Sequence, residues 1–487
     1  MNILYIDIDS LRADHLGCYG YARPTSPHID RLAAEGVRVS SCYTSDAPCL
    51  PSRTALFSGL FGIHNGVVTH GGTASHMRYP GDGHSTDRER LPLPMALSMA
   101  GYHTVTFTNF AQRHLAWHFL AGWDEIHKVN NKGGHERADE VSQVFLPWLR
   151  QHAGEDKLFV HVNFWDPHTP YRTPLEYGNP LEGSPRPEFP DDETIAAQRE
   201  SYGPMSARDH VLNQERYPRL PAGITNRADF DRWIDGYDVG IRYVDDHIGQ
   251  IRATLEARGV LDDWAIIVSA DHGENQGELN IYGDHQTADE YTTHIPLIIR
   301  WPGTTAPGGA YAGLVYHLDL APTLCELLGV RVPERWDGRS FAPVLRGQAH
   351  TDREYLVLGQ GAWTCQRAVR QGDWLLVRTY HTGHHPFPAA MLFDLAQDPH
   401  ETRNVAESRP EVVAALDHLL TEWWQEQTSG PQGQPDPMLT TIQEGGPFYV
   451  RGKLQPYIER LRAAGRNAAA DELARFRGGP IGGKGES

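Results

Sequence analysis

The sequence predicts an α/β fold with a mostly parallel central sheet, joined to a small C-terminal α+β subdomain with an antiparallel sheet. Over roughly the first 350 residues, short apolar runs alternate with segments of helical spacing, which is typical of a parallel sheet covered by helices. Two of these runs end in acidic residues, and α/β enzymes bind ligands at the carboxyl ends of their strands. Further on, short strand candidates with hairpin-like spacing precede a helix, which indicates a separate subdomain.

Each predicted element rests on the length and spacing of its apolar residues. In the first part of the chain, the predicted strands are 3–8, 37–43, 104–108, 158–165, 264–270 and 296–301. The predicted helices are 30–36, 93–100, 138–151, 229–258 and 318–328, and four of them end at or just before a glycine. The subdomain is predicted to contain strands 355–358, 365–370, 374–380 and 390–395, then helices 412–426 and 456–476.

We therefore expect a catalytic domain over residues 1–350 and an α+β subdomain with a tail helix over residues 351–487. Residues 166–228 are rich in Pro, Gly, Asp and Arg and have weak periodicity. A stretch of that length without clear elements is more often a functional insertion than a plain connection, so we expect it near the active site. The Gly-rich end of the chain is expected to be disordered.

Composition excludes several classes of protein. The formal net charge of -18 argues against nucleic-acid binding, and no apolar run is long enough to indicate a membrane span. The five cysteines are an odd number without C-x-x-C spacing, which favours a reducing compartment over a disulfide framework. Because no signal peptide precedes the first strand, a cytoplasmic location is expected. The oligomeric state is left open, a homo-oligomer included.

The segment around Cys49 carries the chemistry on which the functional prediction depends. Two flanking prolines restrict the turn. The pattern from Ser52 to Phe57 predicts the start of a helix, with Ser52 as a suitable N-cap. Cys49 is thus predicted to face the positive end of a helix dipole, with Arg53 one turn away. A side chain in that position is suited to meet an anion.

The sequence Cys49-Leu50-Pro51-Ser52-Arg53 resembles the C-x-P-S-R core of type I sulfatases, and the Thr-Ala-Leu-Phe-Ser-Gly that follows it matches the same family. In that family, a maturation enzyme oxidises the cysteine to formylglycine. The resemblance therefore implies an alkaline-phosphatase-like α/β sandwich and a hydrolase that acts on sulfuric esters. It also implies formylglycine derived from Cys49 as the nucleophile, and a formylglycine-generating maturation enzyme as a partner.

A metal site is predicted where two strands end. Asp9 follows the first strand, and Asp271-His272 follows a later one. Oxygen ligands with a single histidine favour Ca²⁺, Mg²⁺ or Mn²⁺ over a thiolate-bound metal. Both segments resemble the metal motifs of sulfatases, which implies one divalent cation, Ca²⁺ before the others, held by Asp9, Cys49, Asp271 and His272. Many sulfatases carry two adjacent acids at the first site, whereas this chain has Asp9-Ser10.

The remaining site residues follow from the same resemblance. Pro167-His168-Thr169-Pro170 resembles the P-H-x-P element of the family, which implies that His168 binds substrate or donates a proton. His285 stands where relatives place a lysine, and its charge would make activity more sensitive to pH. Where sulfatases commonly carry an anion-binding Lys and His, this chain has Asn109 and Ala111.

The expected catalytic residues are thus Cys49, Arg53, His168 and His285, with His70, Asn109 and Arg113 as candidate substrate-binding residues. The expected substrate is an anionic small-molecule or saccharide ester, with neither nucleic acid nor membrane as a partner. Because two cationic groups are missing, a phosphonate monoester or phosphodiester hydrolase is the alternative function. A non-catalytic glycan-binding relative is a remote third, disfavoured by the intact cysteine and metal motifs.

Overall fold

The computed structural model describes residues 1–78, 91–429 and 433–475. Within them, the strands are β1 (Asn2–Ile8), β2 (Val37–Tyr43), β3 (Asp46–Ala47), β4 (His103–Phe107), β5 (Glu125–His127), β6 (Leu158–Phe164), β7 (Trp264–Ser269), β8 (Asn275–Gln276), β9 (Tyr282–Asp284), β10 (His294–Arg300), β11 (Gly309–Tyr311), β12 (Val315–Tyr316), β13 (Leu356–Gln360), β14 (Cys365–Gln371), β15 (Trp374–His381) and β16 (Ala390–Asp394). The α-helices are α1 (Pro27–Glu35), α2 (Cys49–Ser58), α3 (Gly62–Asn65), α4 (Leu93–Met99), α5 (Phe110–His114), α6 (Ala138–His152), α7 (Asp192–Glu200), α8 (Arg227–Ala257), α9 (Glu290–Thr293), α10 (Leu320–Leu327), α11 (Ala342–Leu345), α12 (Pro410–Ser429), α13 (Pro437–Gln443), α14 (Leu454–Ala463) and α15 (Asn467–Arg475).

The predicted central sheet is confirmed as mostly parallel. Its strand order is β11–β2–β10–β7–β1–β6–β4–β5, and β12 pairs with β2. In the described part of the chain, β10 is the strand that runs antiparallel to its neighbours β7 and β2. All seven residues of β1 are buried, so both faces of the sheet are covered there. Helices α1, α6 and α8 pack together in one group, and α2, α4 and α10 in another.

A second, smaller sheet lies in the C-terminal part, as predicted. Strands β16–β15–β14–β13 are antiparallel, but a fifth strand, β3, joins the edge and runs parallel to β13. β3 comes from the N-terminal part of the chain and lies just before α2. The small sheet is therefore attached directly to the segment that leads to Cys49.

The C-terminal end of the chain differs from the prediction. The expected helix over 456–476 is two helices, α14 and α15, which are separated near Gly465. Gly465 has a φ of 75°, a left-handed conformation that glycine adopts easily and that ends a helix. Residues 476–487, with the end expected to be disordered, lie outside the described residues. Residues 166–228 contain α7 among irregular segments, as their weak periodicity indicates.

Candidate active site

Three strand ends place the predicted site residues at one edge of the central sheet. β1 lies between β6 and β7 and runs parallel to both, so their carboxyl ends meet. Asp9 follows β1, and Asp271 and His272 follow β7. His168 comes shortly after the end of β6. The topology thus gathers residues that are far apart in sequence.

Cys49 is the first residue of α2, which begins three residues earlier than predicted. Pro48 is at the N-cap position, so the expectation that Ser52 caps the helix is wrong. The Ser52 hydroxyl instead donates a hydrogen bond to the Asp271 carbonyl oxygen at 2.6 Å, which ties α2 to the end of β7. Cys49 Sγ lies 3.1 Å from Nε2 of His272. Burial raises the pKa of the Cys49 thiol, so the encoded side chain is uncharged.

The Arg53 guanidinium is surrounded by three buried carboxylates. Nε donates to Asp7 Oδ2 at 2.6 Å, and Nη1 donates to Oδ2 of Asp9 at 3.0 Å and of Asp271 at 2.6 Å. Nη2 is buried and has no hydrogen-bond partner among the described residues. Arg53 therefore balances one of the three carboxylate charges, and Nη2 is the nitrogen of its guanidinium that these carboxylates leave without a partner.

The acidic cluster fits a divalent cation. The three carboxylates carry two more negative charges than Arg53 balances, and burial raises the pKa of Asp271 to about 6. Ligand atoms of Asp9, Cys49, Asp271 and His272 all lie within 4.8 Å of one another. Asp7 Oδ1 is buried without a hydrogen-bond partner in the described part of the chain. Because excess buried charge is normally paired or bound to metal, these side chains suit one divalent ion.

Ser10 stands next to Asp9, at the position where a second acid would provide another metal ligand. Its backbone N–H donates to Asp271 Oδ1 at 3.2 Å, and its hydroxyl donates to Asp9 Oδ1 at 3.0 Å. These bonds occupy the Oδ1 atoms and leave both Oδ2 atoms facing the Arg53 side of the cluster. Ser10 therefore orients the two carboxylates, as groups behind metal ligands commonly do.

Three imidazoles line the site. The ring centroids of His272 and His285 are 4.0 Å apart, and those of His168 and His285 are 5.6 Å apart. Nδ1 of His272 lies 2.8 Å from the Gly273 carbonyl oxygen, and Nδ1 of His168 bonds the Thr169 carbonyl oxygen. Because a carbonyl only accepts, Nδ1 carries the proton in both rings and Nε2 keeps its lone pair. That tautomer suits a metal ligand or a proton acceptor.

The protonation of His168 and His285 depends on what is bound. Burial lowers the pKa of His168 to about 3, and it lowers the pKa of His285 well below its ordinary value. Both rings are therefore neutral at pH 7 without substrate. A bound anion favours the charged form and raises these pKa values, so a proton-donor role for either ring requires the anion.

His70 and Arg113 lie beside the Cys49 segment. Nε2 of His70 accepts a hydrogen bond from the backbone N–H of Leu50 at 3.3 Å. The Arg113 guanidinium lies 5.1 Å from the centre of the Trp165 ring. Its positive charge contributes to lowering the pKa of His168, after burial and together with other neighbouring charges, so it lies within electrostatic range of the site.

Asn109 is occupied by a structural role. Its Nδ2 donates to Glu136 Oε1 at 2.5 Å and to the Asn130 carbonyl oxygen at 3.1 Å, and its Oδ1 accepts from the backbone N–H of Val129 at 3.1 Å. These bonds use the side-chain amide to hold the loop before α6. The contacts do not support the expectation that Asn109 binds substrate.

We expect Asn109→Ala to lower the free energy of unfolding by roughly 1–3 kcal/mol, because Glu136 would lose a buried donor. Thermal unfolding of both proteins would measure this. The matched control is Gln112→Ala, an exposed position on α5 that should change stability by less than about 0.5 kcal/mol. Unchanged stability with weaker substrate binding in Asn109→Ala would place the side chain in the pocket instead.

Comparison with known families decides what this arrangement is. The family model described as Sulfatase matches residues 1–330, more than half of the chain. The chain belongs to the sulfatase family. A second model, N-sulphoglucosamine sulphohydrolase, C-terminal, matches residues 277–427. The family predicted from the Cys49 segment is thus confirmed, and this sulfatase is a hydrolase that acts on sulfuric ester bonds.

Curated relatives align with this sulfatase over most of their length. It is 22% identical to an N-acetylglucosamine-6-O-sulfatase of Bacteroides thetaiotaomicron, covering 91% of this chain and 89% of the relative. It is 27% identical to an N-acetylgalactosamine-6-O-sulfatase of the same organism, covering 86% and 92%.

None of the described helices is long and apolar enough to cross a membrane.

Solved structures confirm the fold. A complex with the substrate D-glucosamine-2-N,6-O-disulfate superposes with a TM-score of 0.71 at 21% identity, covering 89% of this chain and 99% of the other. A phosphonate monoester hydrolase from Silicibacter pomeroyi superposes with a TM-score of 0.67 at 23% identity, covering 88% and 95%. The same fold thus occurs in proteins described by two different activities.

Two groups near the site of this sulfatase were not predicted from the sequence. Arg172, just after His168, has Nε and Nη1 buried without a hydrogen-bond partner in the described part of the chain. Nη2 of Arg172 lies 3.5 Å from His135 Nδ1, and the two nitrogens without a partner suit an anion. The position of Arg172 behind the Pro-His-Thr-Pro segment is a usable signal in the sequence. The Tyr449 hydroxyl lies 2.7 Å from Nδ1 of His70, although the two residues are 379 positions apart in the sequence. The sequence gives no signal for a contact over such a separation.

Proposed function

We propose that this sulfatase hydrolyses the sulfate ester of a saccharide, with formylglycine derived from Cys49 as nucleophile and one divalent cation at the acidic cluster. The observation that carries this proposal is the position of Cys49. It begins α2 within the C-x-P-S-R motif, 3.1 Å from His272 and beside the carboxylates of Asp9 and Asp271. A buried, uncharged thiol in such surroundings has no other evident use.

The two groups that the chain must acquire have distinct contributions. Formylglycine supplies a hydrated aldehyde whose hydroxyl is the nucleophile, which accounts for a cysteine where a reactive oxygen is needed. The cation, held by Asp9, Asp271, His272 and residue 49, supplies Lewis-acid polarisation of oxygen. Ca²⁺ is proposed because the acidic ligands are hard oxygens, with Mg²⁺ and Mn²⁺ to be tested beside it.

The side chains of this chain bind the anion and move the protons. Arg53, through Nη2, and Arg172, through Nε and Nη1, offset the negative charge of the ester. His168 accepts or returns a proton at Nε2, the nitrogen that its Thr169 bond leaves free. His285 packs near both His168 and His272, so it is a second candidate to donate a proton to the leaving oxygen.

The proposed substrate class follows the relatives. Two of them are named for 6-O-sulfates of N-acetylated amino sugars, and a structural neighbour was solved with a sulfated glucosamine. We propose a sulfated saccharide for this chain, and a formylglycine-generating enzyme as its maturation partner. We also propose that residues 1–350 form the catalytic unit and 351–487 the subdomain, with residues 166–228 as an insertion over the site.

Hydrolysis of phosphonate monoesters or phosphodiesters is the second candidate. It is favoured by Ala111, which replaces a cationic group, and by the fold shared with phosphonate monoester hydrolases. A pocket with fewer fixed cations discriminates less sharply between sulfuryl and phosphoryl groups.

A panel of three substrates tests the proposal. Fully matured enzyme is expected to hydrolyse 4-nitrophenyl sulfate with a kcat/KM at least about tenfold above those for a phenylphosphonate monoester and a phosphodiester. The preference should reflect the compact sulfate head that the site holds. The same panel with unmodified protein is the control for formylglycine. A reversed order of preference would replace the first candidate by the second.

A further inference from the structure

Residues 437–451, here called the tail segment, lie beyond both family matches and pack on the loop that carries His70. Glu444 accepts a hydrogen bond from the Thr73 N–H at 3.1 Å. A Cβ atom on Gly71 would lie 2.2 Å from the Phe448 ring, so the two residues are in close contact. The tail segment is therefore fixed against the active-site loop by both polar and apolar contacts.

A short chain of hydrogen bonds connects the tail segment to the nucleophile. The backbone N–H of Leu50, next to Cys49, donates to Nε2 of His70 at 3.3 Å. Nδ1 of His70 lies 2.7 Å from the Tyr449 hydroxyl oxygen. Because Nε2 accepts, the neutral ring carries its proton on Nδ1 and donates it to Tyr449. Burial lowers the pKa of His70 to about 3, which keeps the ring neutral at pH 7.

The hydroxyl proton of Tyr449 is consequently left over. Among the described residues, the hydroxyl oxygen of Tyr449 has one hydrogen-bond partner, His70, and it accepts the hydrogen bond from Nδ1 of that ring. The side chain is only partly buried, and its ring stacks on Trp363 with centroids 4.5 Å apart. Its backbone N–H donates to the Ala362 carbonyl oxygen at 3.0 Å. The ring is therefore held rigidly while the proton remains free to serve a ligand.

The Tyr449 hydroxyl is separated from the Cys49 segment by one imidazole, because His70 contacts both this hydroxyl and the Leu50 N–H. Burial raises the pKa of Tyr449, and the negative charges of Asp284 and Asp9 add to the rise. The positive charge of Arg113 acts in the opposite direction. Charged groups near the proposed anion pocket thus lie within electrostatic range of this hydroxyl.

We infer that Tyr449 is a substrate-binding residue, whose hydroxyl accepts from His70 and donates its own proton to an oxygen of the bound sulfate group. The inference rests on the proposed function and adds a hydrogen-bond donor to the proposed anion pocket. It also assigns a function to the tail segment, which lies beyond the regions matched by the family models: Tyr449 completes the anion site.

Tyr449→Phe tests the inference, because it removes the hydroxyl and keeps the ring stacked on Trp363. Binding of inorganic sulfate is measured by calorimetry on the matured full chain, together with kcat/KM for 4-nitrophenyl sulfate. Both are expected to weaken about tenfold or more, since a hydrogen bond to a charged group is lost. Sulfate binding reports on the pocket without requiring turnover, and the aryl substrate has no sugar that Tyr449 could contact.

Tyr457→Phe is the matched control. Tyr457 lies on α14, just after the tail segment, and its hydroxyl bonds Asp209 and the Gly203 N–H. The variant therefore loses a tyrosine hydroxyl that does not contact His70. It should stay within about twofold of wild type. Equal losses in both variants, no loss in Tyr449→Phe, or a wild type that does not bind sulfate would each overturn the inference. If wild type binds sulfate and hydrolyses the ester while Tyr449→Phe matches it, only the inference fails and the proposed function stands.

Discussion

Cys49→Ala is expected to abolish hydrolysis of sulfate esters while the protein still folds. Removal of a nucleophile commonly costs at least about 10⁴-fold in kcat. The substitution removes one buried sulfur atom and no hydrogen bond of the α2 backbone, so the unfolding temperature should change little. Initial rates with 4-nitrophenyl sulfate and thermal unfolding measure the two effects.

Mass spectrometry links this loss to the modification. In wild-type protein produced with a maturation enzyme, the peptide that contains residue 49 should be about 18 Da lighter than encoded, because oxidation of the CH2–SH group to an aldehyde removes sulfur and two hydrogen atoms and adds one oxygen. Cys325→Ala, at another buried thiol, is the matched control and should keep both the modification and the activity. Full activity in Cys49→Ala would refute the proposed nucleophile.

The convergence of the proposed metal ligands could be predicted from the sequence. Asp9 and Asp271 each follow a buried apolar run, and in a parallel sheet such runs end at the same edge. The prediction needed only strand identity and direction, both of which apolar patterning indicates well. The order of the strands in the sheet is known only from the structure.

The start of α2 was predicted three residues too late because Pro51 was read as part of a turn. In the structure Pro51 lies in the first turn of the helix, where backbone N–H groups have no intrahelical acceptor. A proline is tolerated there, so the helix extends back to Cys49. The difference matters, because it places Cys49 itself at the helix terminus.

Long-range side-chain contacts could not be predicted. Asn109 was aligned with an anion-binding position, but its amide is bonded to Glu136, which no local pattern reveals. Tyr449 and His70 are in contact although they are 379 positions apart in the sequence. Strand β3 has only two residues, too few to show the alternation of a strand. In each case the deciding contact depends on tertiary packing.

Asp271→Asn is expected to remove the bound cation and to lower kcat/KM for sulfate esters by at least about a hundredfold. The substitution keeps Oδ1, which accepts from Ser10 and His272, but replaces Oδ2 by an amide that cannot bind a cation. Elemental analysis should give close to one divalent ion per wild-type chain and none in the variant. Exhaustive chelation should reproduce the loss of activity in wild type, and re-addition of Ca²⁺, Mg²⁺ or Mn²⁺ identifies the ion.

Stability distinguishes a lost cation from a damaged core. In wild type, chelation should lower the unfolding temperature, because a ligand that binds only the folded state stabilises it and its removal leaves excess buried negative charge. In Asp271→Asn, which already lacks the ion, chelation should change nothing. Asp319→Asn is the matched control, since Asp319 is also buried and paired with an arginine, Arg353, away from the site. It should lose stability but keep the metal, its response to chelation and its activity per folded molecule. A fully active enzyme shown by elemental analysis to be free of metal would contradict the assignment, whatever the stability of the variants.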